Sequence, residues 1–172
     1  MNVRRIALLG ILTAGAVIIG IIESFIPSIG IPGVKLGLAN IIILITLYEL
    51  GIIEALFVNL ARVFLVGILR GNIFTMPFFM SLAGAILSLS IMILFNLLVK
   101  KFSVVGVSVI GSFFHVTAQV LVALAFVGTG YILFYLPILA ISAILTGVFV
   151  GITAQLVINT KVIKKQREKY KF

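Results

Sequence analysis

Long apolar runs, each about as long as a membrane-crossing helix, dominate this sequence. Short segments that contain proline, glycine or charged residues separate the runs. A helix needs about 20 residues to cross the roughly 30 Å hydrocarbon core of a bilayer. The runs therefore predict six transmembrane helices, at 6–26, 36–50, 52–69, 74–99, 104–127 and 131–157.

Composition excludes a soluble enzyme. Hydrophobic residues make up 63% of the 172 residues and charged residues only 10%, whereas soluble domains are roughly 45–50% apolar and about 25% charged. We expect an all-α integral membrane protein, a six-helix bundle in one membrane domain over residues 1–172 with a basic tail at 158–172. The run at 36–50 is short, so it is either partly re-entrant or shielded by neighbouring helices.

Basic residues predict the orientation. Six spans place both termini on one side of the membrane, and cytoplasmic segments are rich in Lys and Arg. With cytoplasmic termini, ten of the thirteen basic residues lie inside, six of them in the last twelve positions. We expect a multi-pass protein of the cell membrane whose tail touches anionic lipid and does not bind nucleic acid. The first run is longer than the apolar core of a signal peptide and is expected to be retained.

Missing residue types exclude several chemistries. The chain has no Cys, and its four acidic residues are all Glu. Thiol catalysis and aspartate-held Mg²⁺–diphosphate therefore have no residues here, and no phosphate-binding loop of an ATPase is present. We expect a binding or transport protein without catalytic residues, bound metal or cofactor.

Polar residues inside or beside the spans form the candidate site, because such residues are costly in a membrane. Arg62 lies about 12 Å deeper than Arg70 on the third helix, and His115 and Gln119 share a face of the fifth. We expect a cavity open to the outside, mostly apolar with a few polar groups. Its predicted lining is Glu23, Lys35, Asn40, Arg62, Arg70, Asn72, His115 and Gln119.

Each of these residues has an alternative role. Arg62 either recognises a carboxylate or phosphate ligand or bridges to Glu23 or a carbonyl. His115 either bonds substrate or joins two helices. Glu23 either contacts ligand or pairs with a cation. Glu49 and Glu54 are expected at the cytoplasmic surface.

Small residues at helical spacing predict close helix packing. The first helix carries Gly10-x-x-x-Ala14 and the sixth carries Ala143, Gly147 and Gly151. Such a stripe either packs within the chain or, on the first helix, docks another membrane subunit.

Two segments resemble a known family. Pro32-Gly-Val-Lys-Leu-Gly-Leu-Ala-Asn40 and Arg62-Val-Phe-Leu-Val-Gly-Ile-Leu-Arg-Gly71 look like the Gx transporter family, whose members are often labelled heptaprenyl diphosphate synthase component I. That family is similar to the substrate-binding S components of energy-coupling factor (ECF) transporters. The resemblance covers about residues 3–160. It implies six helices, cytoplasmic termini and an outward-facing site closed by the loop after the first helix.

The resemblance also implies partners. S components dock a scaffold membrane subunit and two ATPases, partly through an Ala-x-x-x-Ala-like stripe on the first helix. In this sequence the docking residues would be Ala7, Gly10, Ala14 and Ala16.

Three functions follow from these observations. The first is an S-component-like protein for ATP-dependent uptake of a small vitamin-like or isoprenoid-related solute. The second is a membrane accessory subunit of a heptaprenyl diphosphate synthase; the missing Asp argues against the synthase activity itself. The third is a self-sufficient carrier or a structural bundle.

Overall fold

All regular elements in the described part of the chain are helical. The computed structural model describes residues 3–26, 35–98 and 102–160, apart from the Arg4 side chain. The helices are α1 (Val3–Glu23), α2 (Asn40–Glu49), α3 (Ile52–Leu69), α4 (Met76–Leu98), α5 (Val104–Val127) and α6 (Leu136–Ile158), with a 3₁₀ helix at Gly130–Tyr135. The predicted loop at 27–34, the Lys100–Lys101 pair and residues 161–172 of the tail lie outside the described residues.

Five of the helices are long and apolar enough to cross a membrane, and α2 is not. The prediction of a helix over 36–50 is wrong at its start, because α2 has only 10 residues and is about 15 Å long. Gly37 has a φ of +85°, which a right-handed helix does not use. The chain therefore stays non-helical through residues 35–39.

The other boundaries agree closely with prediction. The helices at 52–69 and 104–127 are confirmed. The first helix ends at Glu23 rather than at residue 26. The fourth begins at Met76 because Phe74 has a φ of 61°, and the last run opens with the 3₁₀ helix before α6.

Two apolar clusters show that the helices run alternately up and down. One cluster joins Leu9 near the start of α1 to Met92 and Ile158 near the ends of α4 and α6. A second joins residues near the start of α4 and the end of α5, including Met80 and Val120. The start of α1 and the end of α6 therefore lie at the same end of the bundle.

Arg5 ties α1 to the corner between α2 and α3. Its guanidinium pairs with Glu54 and donates a hydrogen bond to the Leu50 carbonyl, at 3.2 Å. Gly51, with a φ of +120°, makes this corner. The predicted break between the second and third helices is confirmed, and Glu54 lies at the end of the bundle that holds the start of α1.

Glycines let α5 and α6 approach closely. A Cβ on Gly147 would lie 2.7 Å from the Val109 Cα, and one on Gly151 would lie 2.6 Å from the Val105 Cα. Ala143 is also fully buried. The small-residue stripe of α6 is therefore used for packing within the chain.

The small residues of α1 divide between two faces. Ala16 is fully buried in the core, so its prediction as a partner-docking residue is wrong: the helix turns it toward α2 and α3. Ala7, Gly10 and Ala14 are exposed, and a Cβ on Gly10 would meet nothing within 4 Å. The stripe that remains open to a partner is thus Ala7, Gly10 and Ala14.

We expect Gly151→Ala to lower the free energy of unfolding by about 1–3 kcal/mol, because its methyl group forces α5 and α6 apart. Gly10→Ala is the matched control, since it makes the same gain in helix propensity where space is open. SDS titration of the detergent-solubilised chain measures both. Equal unfolding free energies for the two variants would contradict the close packing.

Candidate functional site

A polar cavity lies among α1, α3, α4, α5 and the residues just before α2. Its volume is about 20 Å³, which is room for about one water molecule. Its lining consists of Glu23, Lys35, Arg62, Val63, Val66, Gly67, Asn72, Pro77, Phe78, Ser81 and His115. It therefore combines two cations, one carboxylate and one imidazole with apolar walls.

The non-helical segment 35–38, here called the lead-in segment, is held by side chains from other helices. The Lys35 N–H donates to the Gln119 Oε1 at 2.7 Å, and the Gln119 Nε2 donates to the Lys35 carbonyl at 3.0 Å. The Thr146 hydroxyl is 3.4 Å from the Leu36 carbonyl oxygen. Non-helical backbone that is partly buried requires such partners, because no helix supplies them.

Glu23 holds the same segment from α1. Its Oε1 accepts hydrogen bonds from the N–H groups of Gly37 and Leu38, the second at 3.2 Å. These groups precede the N-terminus of α2, where a negative charge is favoured. The carboxylate is 4% exposed. The main role of the Glu23 carboxylate in this structure is therefore to hold the backbone of the lead-in segment.

Arg62 reaches the cavity from α3 with its guanidinium buried, at 6% exposure. Its Nη2 donates to the Asn59 Oδ1 at 3.0 Å, and the Asn59 Nδ2 donates to the Ala85 carbonyl at 2.8 Å. The Arg62 Nε has no hydrogen-bond partner among the described residues. A Cβ on Gly20 would lie 3.2 Å from the Val66 side chain, so this glycine lets α1 pack closely on α3 beside Arg62. Asn59 thus fixes one side of the guanidinium and leaves another side free.

His115 is enclosed by glycines. A Cβ on Gly84 would lie 2.9–3.1 Å from three atoms of the imidazole, and one on Gly37 would lie 3.6 Å from its Cδ2. The ring therefore lies between α4 and the lead-in segment. Its Nδ1 is buried and makes no hydrogen bond of good geometry to the described residues, although the Gly84 backbone lies beside the ring.

Among the described charged groups outside the helices, the Lys35 ammonium has the most strongly shifted pKa. Burial lowers its pKa from 10.5 to about 8; Glu23 opposes this, and the cations Arg62 and Arg70 lower it further. Two cations near one carboxylate thus leave the cavity positive near neutral pH. This arrangement attracts an anion.

The structure brings together five of the eight predicted site residues, namely Glu23, Lys35, Arg62, Asn72 and His115. The other three lie outside the cavity lining.

Asn40 is buried beside Gly37, where a Cβ would lie 2.9 Å from its Nδ2. Gln119 has both amide atoms bonded to the Lys35 backbone. Arg70 is exposed, with its guanidinium carbon 5.6 Å from the centre of the Phe25 ring. These three residues surround the cavity without lining it.

Three residues were not predicted as part of the site. Asn59 orients Arg62, Thr146 contacts the lead-in segment, and Ser81 lines the cavity. The position of Asn59, three residues before Arg62 on one helix face, is a usable signal. The Thr146 contact joins residues 110 apart, so only the fold reveals it.

We expect Gln119→Ala to free the Lys35 amide. Losing a buried hydrogen-bond partner costs about 1–3 kcal/mol, so amide hydrogen exchange in the peptide that contains residues 35–38 should become about 5- to 100-fold faster. Thr117→Ala is the matched control, because that hydroxyl bonds only within α5, to the Phe113 carbonyl. Unchanged amide exchange in the Gln119 variant would contradict a role for Gln119 in holding the lead-in segment.

Comparison with known proteins places the chain in a family. No curated protein and no solved structure matches it. The family model for heptaprenyl diphosphate synthase component I matches residues 12–157, which include the lead-in segment and all the lining residues of the cavity. The chain belongs to the heptaprenyl diphosphate synthase component I family.

Proposed function

We propose that this chain is the substrate-binding membrane component of an ATP-dependent uptake system of the ECF type, and that its solute is a small anion. The Arg62 guanidinium carries the proposal: it is buried, held on one side by Asn59, and has a free Nε. A buried cation that forms no ion pair is strongly unfavourable. A ligand with a negative group relieves that cost.

The polar groups around Arg62 support binding rather than catalysis. Lys35 adds a second cation, and the Asn72 Oδ1 and His115 Nδ1 are further polar atoms without partners among the described residues. Glu23 is occupied by backbone N–H groups, so it is poorly placed as a general base. We therefore propose a binding protein and not an enzyme.

The cavity must widen to accept a solute, since about 20 Å³ holds only one water molecule. Lys35 contributes the flexible side chain to the lining. Arg62 is held by Asn59 and stays in place. Widening on the Lys35 side would expose the Arg62 guanidinium to the solute.

Six passes and cytoplasmic termini complete the proposed topology. Residues 36–39 and α2 together make one pass, and the other five helices make one each. Arg5 lies at the end of the bundle that holds the start of α1 and the end of α6. The distribution of basic residues favours the cytoplasmic side for this end, and the proposed location is the cell membrane.

The exposed stripe Ala7, Gly10 and Ala14 is the proposed docking surface for a scaffold membrane subunit that carries the ATPases. Small residues let a partner helix approach closely. Bulky apolar side chains flank the stripe, with Ile11 69% exposed and Ile18 57% exposed. Such side chains pack equally well against a helix or against lipid.

We expect Arg62→Ala to lose a co-purifying anionic metabolite. Truncating one member of a buried charged pair costs about 2–5 kcal/mol, so the amount retained, measured by mass spectrometry after purification, should fall at least about tenfold. Arg5→Ala is the matched control, because it removes a cation far from the cavity. Full retention by the Arg62 variant would exclude this site.

We expect Gly10→Leu to release the partner subunits, because leucine fills the stripe that the partner helix needs. Ser90→Leu, which places the same side chain at an exposed position on α4, should leave the complex intact. Affinity purification and quantitative mass spectrometry of the bound subunits measure both.

Solute uptake into vesicles by this chain alone, without ATP, would refute the proposed ATP-dependent uptake.

The family description favours a second candidate, a membrane accessory subunit of a heptaprenyl diphosphate synthase. Such a subunit would hold the prenyl product or the catalytic subunit at the membrane. Co-purification separates the two candidates. A scaffold with ATPases supports uptake, and a soluble prenyl synthase supports the accessory role.

A further inference from the structure

The lining of the polar cavity carries two cations and one carboxylate. Lys35 and Arg62 are the cations and Glu23 is the carboxylate, whereas an imidazole such as that of His115 is ordinarily neutral above about pH 6.5. Arg70 is exposed and lies outside the lining, so water and salt screen its charge. The cavity therefore has one positive charge in excess near neutral pH.

The Glu23 carboxylate counts toward this charge although it holds the backbone of the lead-in segment. Its hydrogen bonds to two backbone N–H groups leave its negative charge in place, and that charge interacts electrostatically with both Lys35 and Arg62. In the described part of the chain, neither cation has a carboxylate oxygen within 4.0 Å of its nitrogen atoms. Glu23 therefore offsets one cationic charge without forming an ion pair with either cation.

A ligand with one negative charge brings the lining to neutrality. A second negative charge on the ligand would stay uncompensated beside Glu23 in a buried cavity, and burying an unpaired charge is costly. The side chains of Val63, Val66 and Phe78 form apolar walls around the charged groups, and such walls favour a ligand with an apolar body. The lining thus suits a small, mostly apolar monoanion.

The donor groups of the two cations fit a carboxylate. Asn59 holds the Arg62 Nη2, and the Arg62 Nε has no partner among the described residues. A guanidinium binds a planar carboxylate through parallel N–H groups. The Lys35 ammonium, a point charge on a flexible stem, complements the other side of the same carboxylate.

We propose that the ligand of this cavity is a small monocarboxylate, and that the cavity rejects dianions such as phosphate monoesters and diphosphates. This substrate class rests on the proposed anion-binding function and makes it specific. Glu23 determines the specificity, because its charge cancels that of one cation. A prenyl diphosphate, the product named in the description of the matched family, has too many negative charges for this lining.

Probes that are matched in shape and differ by one charge test the proposal. Butyrate and succinate have carbon chains of equal length with one and two carboxylates, and dimethyl phosphate and methyl phosphate differ in the same way at pH 7.5. Isothermal titration measures their binding to the full chain in phosphatidylcholine nanodiscs. We expect each monoanion to bind at least about tenfold more tightly than its dianionic counterpart, since only about 3% of a phosphate monoester is singly charged at pH 7.5.

Variants that change the charge of the lining test the role of Glu23. Glu23→Gln keeps an oxygen that accepts the backbone N–H groups and removes the charge, so we expect it to shift the preference to dianions. Lys35→Gln should weaken butyrate binding at least about tenfold, and the double variant should restore it because one cation is again in excess. Arg5→Gln, far from the cavity, should change nothing. Thermal unfolding of each variant identifies a loss that comes only from misfolding.

The pH dependence of butyrate binding gives a second readout. Burial lowers the pKa of Lys35 to about 8, so affinity should be constant to about pH 8 and then fall up to about tenfold per pH unit. Lys35→Gln should remove this fall. The charged or titratable groups facing Lys35 are Glu23, Arg62, Arg70 and His115. Between pH 7.5 and 9.5, ordinary carboxyl, imidazole and guanidinium groups keep their charge state.

The outcomes separate this proposal from the proposed function. Dianions that bind the unchanged protein as tightly as monoanions, with Arg62 still required, would overturn the monocarboxylate and leave the anion site standing. Dimethyl phosphate that binds more tightly than butyrate would confirm the single charge and overturn the carboxylate. Binding of no anion would overturn both proposals.

Discussion

Buried backbone N–H and C=O groups must find hydrogen-bond partners, and the lead-in segment is where this requirement shapes the molecule. Residues 35–38 are non-helical, and the N–H groups of Lys35, Gly37 and Leu38 donate to side chains instead of to helix carbonyls. Glu23 and Gln119 supply the missing partners from α1 and α5. These contacts hold Lys35 beside the cavity and bring three helices to one point.

The same arrangement explains why the cavity is electropositive. Because the Glu23 carboxylate is held by backbone N–H groups, it neutralises neither Lys35 nor Arg62 at close range. Asn59 then fixes Arg62 from within α3. The cavity lining therefore holds two cations and one carboxylate, and it keeps one positive charge in excess.

Close helix packing supplies the rigid frame around this site. Gly147 and Gly151 bring α6 onto α5, and Gly84 accepts the His115 ring from α5 against α4. The position of each glycine was visible in the sequence, but its partner was not. Spacing shows which face of a helix is small, whereas the contact depends on how the other helices are arranged. For this reason Ala16 and Gly10, which stand six positions apart on α1, have opposite environments.

The amino-acid sequence alone determined the membrane class, the six helices and five of the residues that line the cavity, because lengths of apolar runs and isolated charges within them are local properties. Only the tertiary structure decided that α2 starts at Asn40, that Gln119 clamps the backbone and that Arg70 stays exposed. Those facts depend on contacts between residues as far as 84 positions apart. In such contacts each polar group takes the partner that the packed helices place within reach, and sequence spacing does not encode that choice.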